Sequence, residues 1–121
     1  MRGPAGMVVK IMLNPFNILK KPSISTVQCA VVGETVVAES PNTQRVEGNH
    51  YFPPDSVHWE FLEPSDRTSV CPWKGVARYY DVVVDDKRLP AGAWTYETPS
   101  DAAQHIAGHL AFWHGVKVVR A

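Results

Sequence analysis

After residue 26, apolar and polar positions alternate with the period of two that a β-strand requires. The clearest run is Val76–Val84. There Val76, Arg78, Tyr80, Val82 and Val84 share one face, and Ala77, Tyr79, Asp81, Val83 and Asp85 share the other. Upstream, Val27–Val32 and Thr35–Ala38 flank Gly33-Glu34, a two-residue connection whose leading glycine suits a type II′ hairpin. A turn at Ser40–Thr43 leads to a short strand at Arg45–Glu47, then Gly48-Asn49 and a second strand at His50–Phe52. Pro53-Pro54 stops that strand, because proline cannot donate to a ladder. Residues 56–63 read as extended. Asp85-Asp86-Lys87 turns the chain into a strand at Gly92–Tyr96, and Leu110–Val119 is a last strand bent at Gly115. One short α-helix is expected near the C-terminus. Thr98 caps it, Pro99 takes its first position, Ala102, Ala103 and Ile106 form its apolar stripe, and Gly108 ends it. The pattern predicts a mainly β, antiparallel protein of seven to nine strands; strands outnumber helices too heavily for a doubly wound α/β fold.

Residues 1–26 differ from this pattern. Pro4, Gly6, Pro15 and Pro22 interrupt them, and residues 1–22 hold Arg2, Lys10, Lys20 and Lys21 with no acid. Lysine, arginine and acidic side chains balance over the whole chain, 12 against 12, so the remainder carries eight basic and twelve acidic residues. This divides the chain into a basic N-terminal arm, 1–26, and a single β-rich domain, 27–121. The balanced total argues against a nucleic-acid binder. No stretch reaches the roughly 20 apolar residues of a membrane helix, and no cleavable signal is evident, so a cytoplasmic protein is expected. Cys29 and Cys71 read as two reduced thiols rather than a disulfide framework.

The densest chemistry lies in Ser65–Gly75. Cys71 stands three residues from Lys74, whose ammonium favours a thiolate, and Trp73 lies between them. Either this is a reactive or ligand-clamping turn, or it is a packed turn in which Cys71 is a small hydrophobe and Lys74 is solvated. Lys74 beside Trp73 and near Tyr79 and Tyr80 suits a carboxylate or phosphate on a planar molecule. Glu47, Glu60 and His50 are the acid/base candidates to accompany Lys74 and Cys71, on condition that they lie beside the aromatic residues. Metal sites are poorly supported. His50, Asp55 and His58 straddle two prolines, His105 and His109 straddle Gly108, and no C-x-x-C pair is present. Common phosphate-cradling loops and a G-x-S-x-G elbow are also missing.

Several of these segments occur together in a recognisable order: Glu47-Gly48-Asn49-His50-Tyr51-Phe52-Pro53-Pro54, Pro64-Ser65-Asp66, Cys71-Pro72-Trp73-Lys74-Gly75, Tyr79-Tyr80, Ala93-Trp94-Thr95-Tyr96 and Ala111-Phe112-Trp113. Over about residues 28–121 the chain resembles the family known as domain of unknown function 427. That resemblance implies a β-tent-like fold of two small sheets, similar to methionine sulfoxide reductase B and the thalidomide-binding domain of cereblon, with an aromatic groove between sheets. Structural zinc, common in that class, does not carry over without paired C-x-x-C knuckles. A nucleotidyltransferase-like label sometimes borne by the family finds no support, since Asp85-Asp86 lies in a turn without a glycine-rich loop. The basic arm and Gly92, where relatives often have alanine, depart from the family pattern.

The expectation is therefore a small-molecule-binding protein without a cofactor or metal, its ligand anionic or carbonyl-bearing. Trp73, Tyr79, Tyr80, Trp94 and Tyr96, with Tyr51 and Phe52, are the candidate ring contacts, and Lys74 is the charge. An enzyme of lyase, isomerase or cyclase type in the same groove, and an interaction module docking through the arm, are the alternatives. A homodimer stays open.

Overall fold

A computed structural model describes residues 26–121; the basic arm expected at the N-terminus lies, but for its last residue, outside the described residues. Nine strands follow in order among the described residues: β1 Gln28–Val32, β2 Thr35–Ser40, β3 Gln44–Val46, β4 Asn49–Tyr51, β5 Leu62–Cys71, β6 Gly75–Val84, β7 Lys87–Thr95, β8 Leu110–Phe112 and β9 Lys117–Arg120. They pair antiparallel in three sheets, ordered β9-β1-β2, β3-β4 and β5-β6-β7-β8. The fold is mainly β, as the alternation predicts, but it has a third sheet that the two-sheet expectation lacks. That sheet is the β3–β4 ribbon, hung on the edge of the large sheet by two backbone hydrogen bonds exchanged between Phe52 and Leu110. Its position matters because it carries Glu47 and Tyr51 to the site.

The two-residue period of β6 divides the interior in two. Val82 and Val84 join Ala30, Val37, Phe52, Leu110 and Phe112 in the main core, facing the β9-β1-β2 sheet. Ala77 and Tyr79 point the other way and pack with Tyr51, Trp94, Tyr96, Ile106 and Ala111 in a second, aromatic-rich cluster. The large sheet is thus buried on both faces, which is why β7 reads as nearly continuous apolar sequence from Ala91 onward. Gly33 has φ 60° between Val32 and Thr35, matching the predicted β1–β2 turn.

Three sequence expectations need correction. Leu110–Val119 is not one bent strand. His114 and Gly115, at φ 49° and 105°, turn the chain out of the large sheet, so β8 and β9 belong to different sheets. No α-helix follows Thr98 either. Asp101–Ile106 is 3-10 in character and broken at Ala103 (φ −118°, ψ 20°). Ser100 precedes it, and its hydroxyl caps nothing in the turn because it donates instead to the Trp73 carbonyl at 2.5 Å. Short 3-10 turns also occupy Pro54–Ser56, where the prolines stop the strand, and Trp59–Phe61, inside the stretch 56–63 read as extended.

Candidate functional site

Three irregularities in otherwise regular strands bring the site together. The first is the β3–β4 turn, where Glu47 (φ 53°) and Gly48 (φ 84°) both occupy the left-handed region of a type I′ hairpin. Glycine adopts it freely; a glutamate does so against its steric preference. The result is a carboxylate aimed at the β5–β6 loop, where it accepts from Trp73 Nε1 at 3.2 Å and from Lys74 Nζ.

The second is that loop, Pro72-Trp73-Lys74, closed by the Cys71–Gly75 pair with Gly75 at φ 117°. Ser100 clamps it from outside. Its amide donates to the Lys74 carbonyl at 3.0 Å while its hydroxyl holds Trp73. Clamped in this way, Lys74 turns inward and is only 5% exposed. Its ammonium lies 5.2 Å from the Trp73 ring centre and 5.4 Å from that of Tyr96. Burial alone would pull its pKa down, but the hydrogen bond to Glu47 and the neighbouring Tyr51 and Tyr96 hold it above the ordinary lysine value. Donation from Lys74, then Trp73, correspondingly lowers the pKa of Glu47. Both groups are charged at neutral pH.

The third is a bulge in β7. Tyr80 pairs with Ala93 and Val82 with Leu89, so Pro90-Ala91-Gly92 oppose Asp81 alone. Asp81 pins the bulge by accepting the Ala91 amide at 2.8 Å. The bulge's carbonyls then receive Trp113: its indole donates to Ala91 at 2.6 Å and its amide to Gly92 at 2.9 Å. Trp113 thereby stands 5.2 Å from Trp94, edge to face, and 6.3 Å from Tyr79.

Together these residues form a cavity of about 250 Å³, open to solvent and lined by Glu47, Asn49, Tyr51, Lys74, Tyr79, Trp94, Tyr96 and Trp113. Two of its three phenol hydroxyls are held by hydrogen bonds. Tyr51 accepts from Trp94 Nε1 at 3.1 Å, and Tyr79 shares a hydrogen bond of 2.9 Å with Ser69. Burial pushes the pKa of Tyr51 and of Tyr96 up, so both remain neutral phenols. The chemistry on offer is a paired ammonium and carboxylate, neutral phenol donors and ring faces. A larger depression of about 370 Å³ lies between the β1–β2 and β6–β7 turns, but Glu34, Asp85, Asp86 and Lys87 supply its polar groups and it has no ring walls.

Of the residues nominated from sequence, the cavity gathers Glu47, Tyr51, Lys74, Tyr79, Trp94 and Tyr96, with Trp73 at its rim. Cys71 is a free, half-buried thiol packed against the same aromatic cluster, and it does not line the cavity. Four others lie elsewhere, and strand alternation accounts for three of them. Phe52 follows Tyr51 and so enters the main core. Tyr80 follows Tyr79 and packs edge-on against Trp59 at 5.6 Å. His50 precedes Tyr51 and bonds through Nδ1 to Thr43 at 2.8 Å. Glu60 is exposed on the 3-10 turn at Trp59–Phe61. Missed from sequence were Asn49 and Trp113, although alternation from Tyr51 points to the first and the Ala111-Phe112-Trp113 motif contains the second.

Among the described residues, no helix is long and apolar enough to cross a membrane. Comparison with curated proteins finds no match. The family described as "Domain of unknown function (DUF427)" matches residues 21–120, which include every residue lining the cavity. The chain belongs to that family.

Proposed function

We propose that the protein binds a small planar molecule carrying a carbonyl or anionic group in the cavity between β4, β6, β7 and the β5–β6 loop. The observation that carries this reading is the placement of Lys74. A lysine on a hairpin loop normally extends into water; this one is 5% exposed and points at an aromatic-walled space. Burying an ammonium costs several kcal/mol before compensation, and the arrangement recovers that cost where a ligand would be recognised. Ring faces for stacking and few polar groups for orientation are the usual composition of such sites. At about 250 Å³ the space suits a one- or two-ring molecule. We read the architecture as β-tent-like on the strength of the family resemblance, and the protein as cytoplasmic.

A thermal-shift screen of planar carboxylates and cyclic carbonyl compounds tests the reading, because a ligand selective for the folded state raises the melting temperature. Hits are expected with the wild-type protein and lost with Lys74→Met. Equal stabilisation of Lys74→Met by every hit would reject it.

A second reading is favoured by one further observation. Glu47 and two neutral phenols, Tyr51 and Tyr96, line the same cavity as Lys74. A carboxylate base facing phenol acids is the equipment for proton transfer next to a carbonyl, as a lyase, isomerase or cyclase requires. Turnover with a bell-shaped pH profile, abolished by Glu47→Gln, is the expected signature; a pH-independent rate would dismiss it.

A further inference from the structure

Arg67 is exposed and takes no part in the cavity lining, yet the backbone aims it at two of the cavity's rings. Pro64 pairs with Tyr80 and Thr68 with Arg78, so Ser65, Asp66 and Arg67 together oppose Tyr79 alone. The Ser65 hydroxyl accepts the Arg67 amide at 3.1 Å and shapes the excursion. Bulges of this kind re-aim a side chain, and this one lays the Arg67 guanidinium 4.6 Å over the Tyr79 ring and 5.7 Å from that of Trp113. Both rings are walls of the cavity. Tyr79 is itself fixed by Ser69, so the platform under the guanidinium is rigid.

The charges at the site then differ in kind. Lys74 is neutralised by Glu47. Arg67 has no ion-pair partner among the described residues, and residues 1–25 contain no acidic side chain that would provide one. The guanidinium makes no hydrogen bond or ion pair among the described residues, so its N–H donors, the planar fork that matches a carboxylate, stay free. We propose that Arg67 is the specificity-determining residue of the site, selecting planar monoanions, carboxylates above all, over neutral molecules of the same shape. The ring of the ligand enters among Trp94, Trp113 and Tyr96, and its carboxylate remains at the mouth under Arg67. This rests on the cavity reading above and adds the charge class of its ligand.

Benzoate and benzamide, nearly identical in shape but one anionic and the other neutral, separate the two. Their binding is followed by the indole N–H resonances of Trp94 and Trp113, with Trp59, which packs against Tyr80, as the internal control. Benzoate is expected to bind the wild type at least about tenfold more tightly than benzamide, the scale of a charge-assisted hydrogen bond. Arg67→Gln should bring the two within about threefold by weakening benzoate alone, and Arg67→Lys, which keeps charge but not the fork, should fall between. Equal binding of both compounds by the wild type, a preference that survives Arg67→Gln, or equal weakening of both by that variant overturns the assignment while leaving the cavity reading intact. If neither compound moves the Trp94 and Trp113 resonances, the cavity reading fails and the assignment fails with it.

Discussion

Replacing Lys74 by methionine distinguishes a charge kept for recognition from one kept for folding. The swap conserves length and most of the volume, so no large cavity opens. What is lost is two ammonium–ring contacts, to Trp73 and Tyr96, worth about 0.5–1 kcal/mol each. The ion pair with Glu47, which offsets the burial of the ammonium, is lost as well, although that carboxylate, 52% exposed, rehydrates once its partner is gone. What is regained is the desolvation of an ammonium with 5% exposure, about 2 kcal/mol or more. These terms nearly cancel, so Lys74→Met should lie within about 1 kcal/mol of the wild type, a melting shift of no more than roughly 4–8 °C for a domain of this size. Glu47→Gln makes the opposite cut, leaving the buried ammonium without its carboxylate, and should destabilise more than Lys74→Met. Urea unfolding of the three proteins side by side measures both, read as midpoints at constant slope. A loss of about 3 kcal/mol or more in Lys74→Met, or a smaller loss in Glu47→Gln, would show that the Lys74 charge holds the fold together and would refute the reasoning.

Three further outcomes follow from the same geometry. Tyr51→Phe leaves the buried Trp94 indole N–H without its acceptor and should cost about 1–2 kcal/mol by urea unfolding; no change would mean that water in the cavity replaces the hydroxyl. Gly75→Ala places a side chain at φ 117° on the Lys74 loop and should destabilise by about 1–3 kcal/mol, with weaker binding of any ligand that needs Lys74; an unchanged midpoint would show that the loop relaxes without disturbing the clamp. The pKa of Glu47 is lowered in the folded protein, so the stability it contributes is present above the ordinary carboxylate pKa, about 4.3, and is lost as pH falls through the lowered value. Glu47→Gln should therefore flatten the acid limb of a stability–pH curve, and an unaltered limb would place the acid sensitivity in other carboxylates.

The alternation from Val76 to Val84 was enough to place Tyr79 and Val82 on opposite faces of one strand, and with them the division between site and core. It could not show that both faces are covered, since burial by a second sheet and by the β3–β4 ribbon depends on contacts distant in sequence. The same limit explains Phe52, Tyr80 and His50: each sits next to a cavity residue in the chain, and adjacency on a strand means the opposite side of the sheet. Asp101–Ile106 carries the capping and apolar signals of an α-helix, but six residues are too few to outweigh the Ser100 clamp on the β5–β6 loop. Arg67 and Trp113 depend on bulges opposite Tyr79 and Asp81, where three residues face one. Nothing in the local composition of Ser65–Arg67 or Pro90–Gly92 announces that count.

The central claim is that the aromatic cavity holding Lys74 is the ligand site, and a crystal structure with the strongest hit of the thermal-shift screen tests it most directly. Ligand density is expected among Trp94, Trp113 and Tyr96, with an oxygen within hydrogen-bond distance of Lys74 Nζ or the Arg67 guanidinium. Density in the depression between Val32–Thr35 and Val84–Lys87, with the aromatic cavity empty, would contradict it.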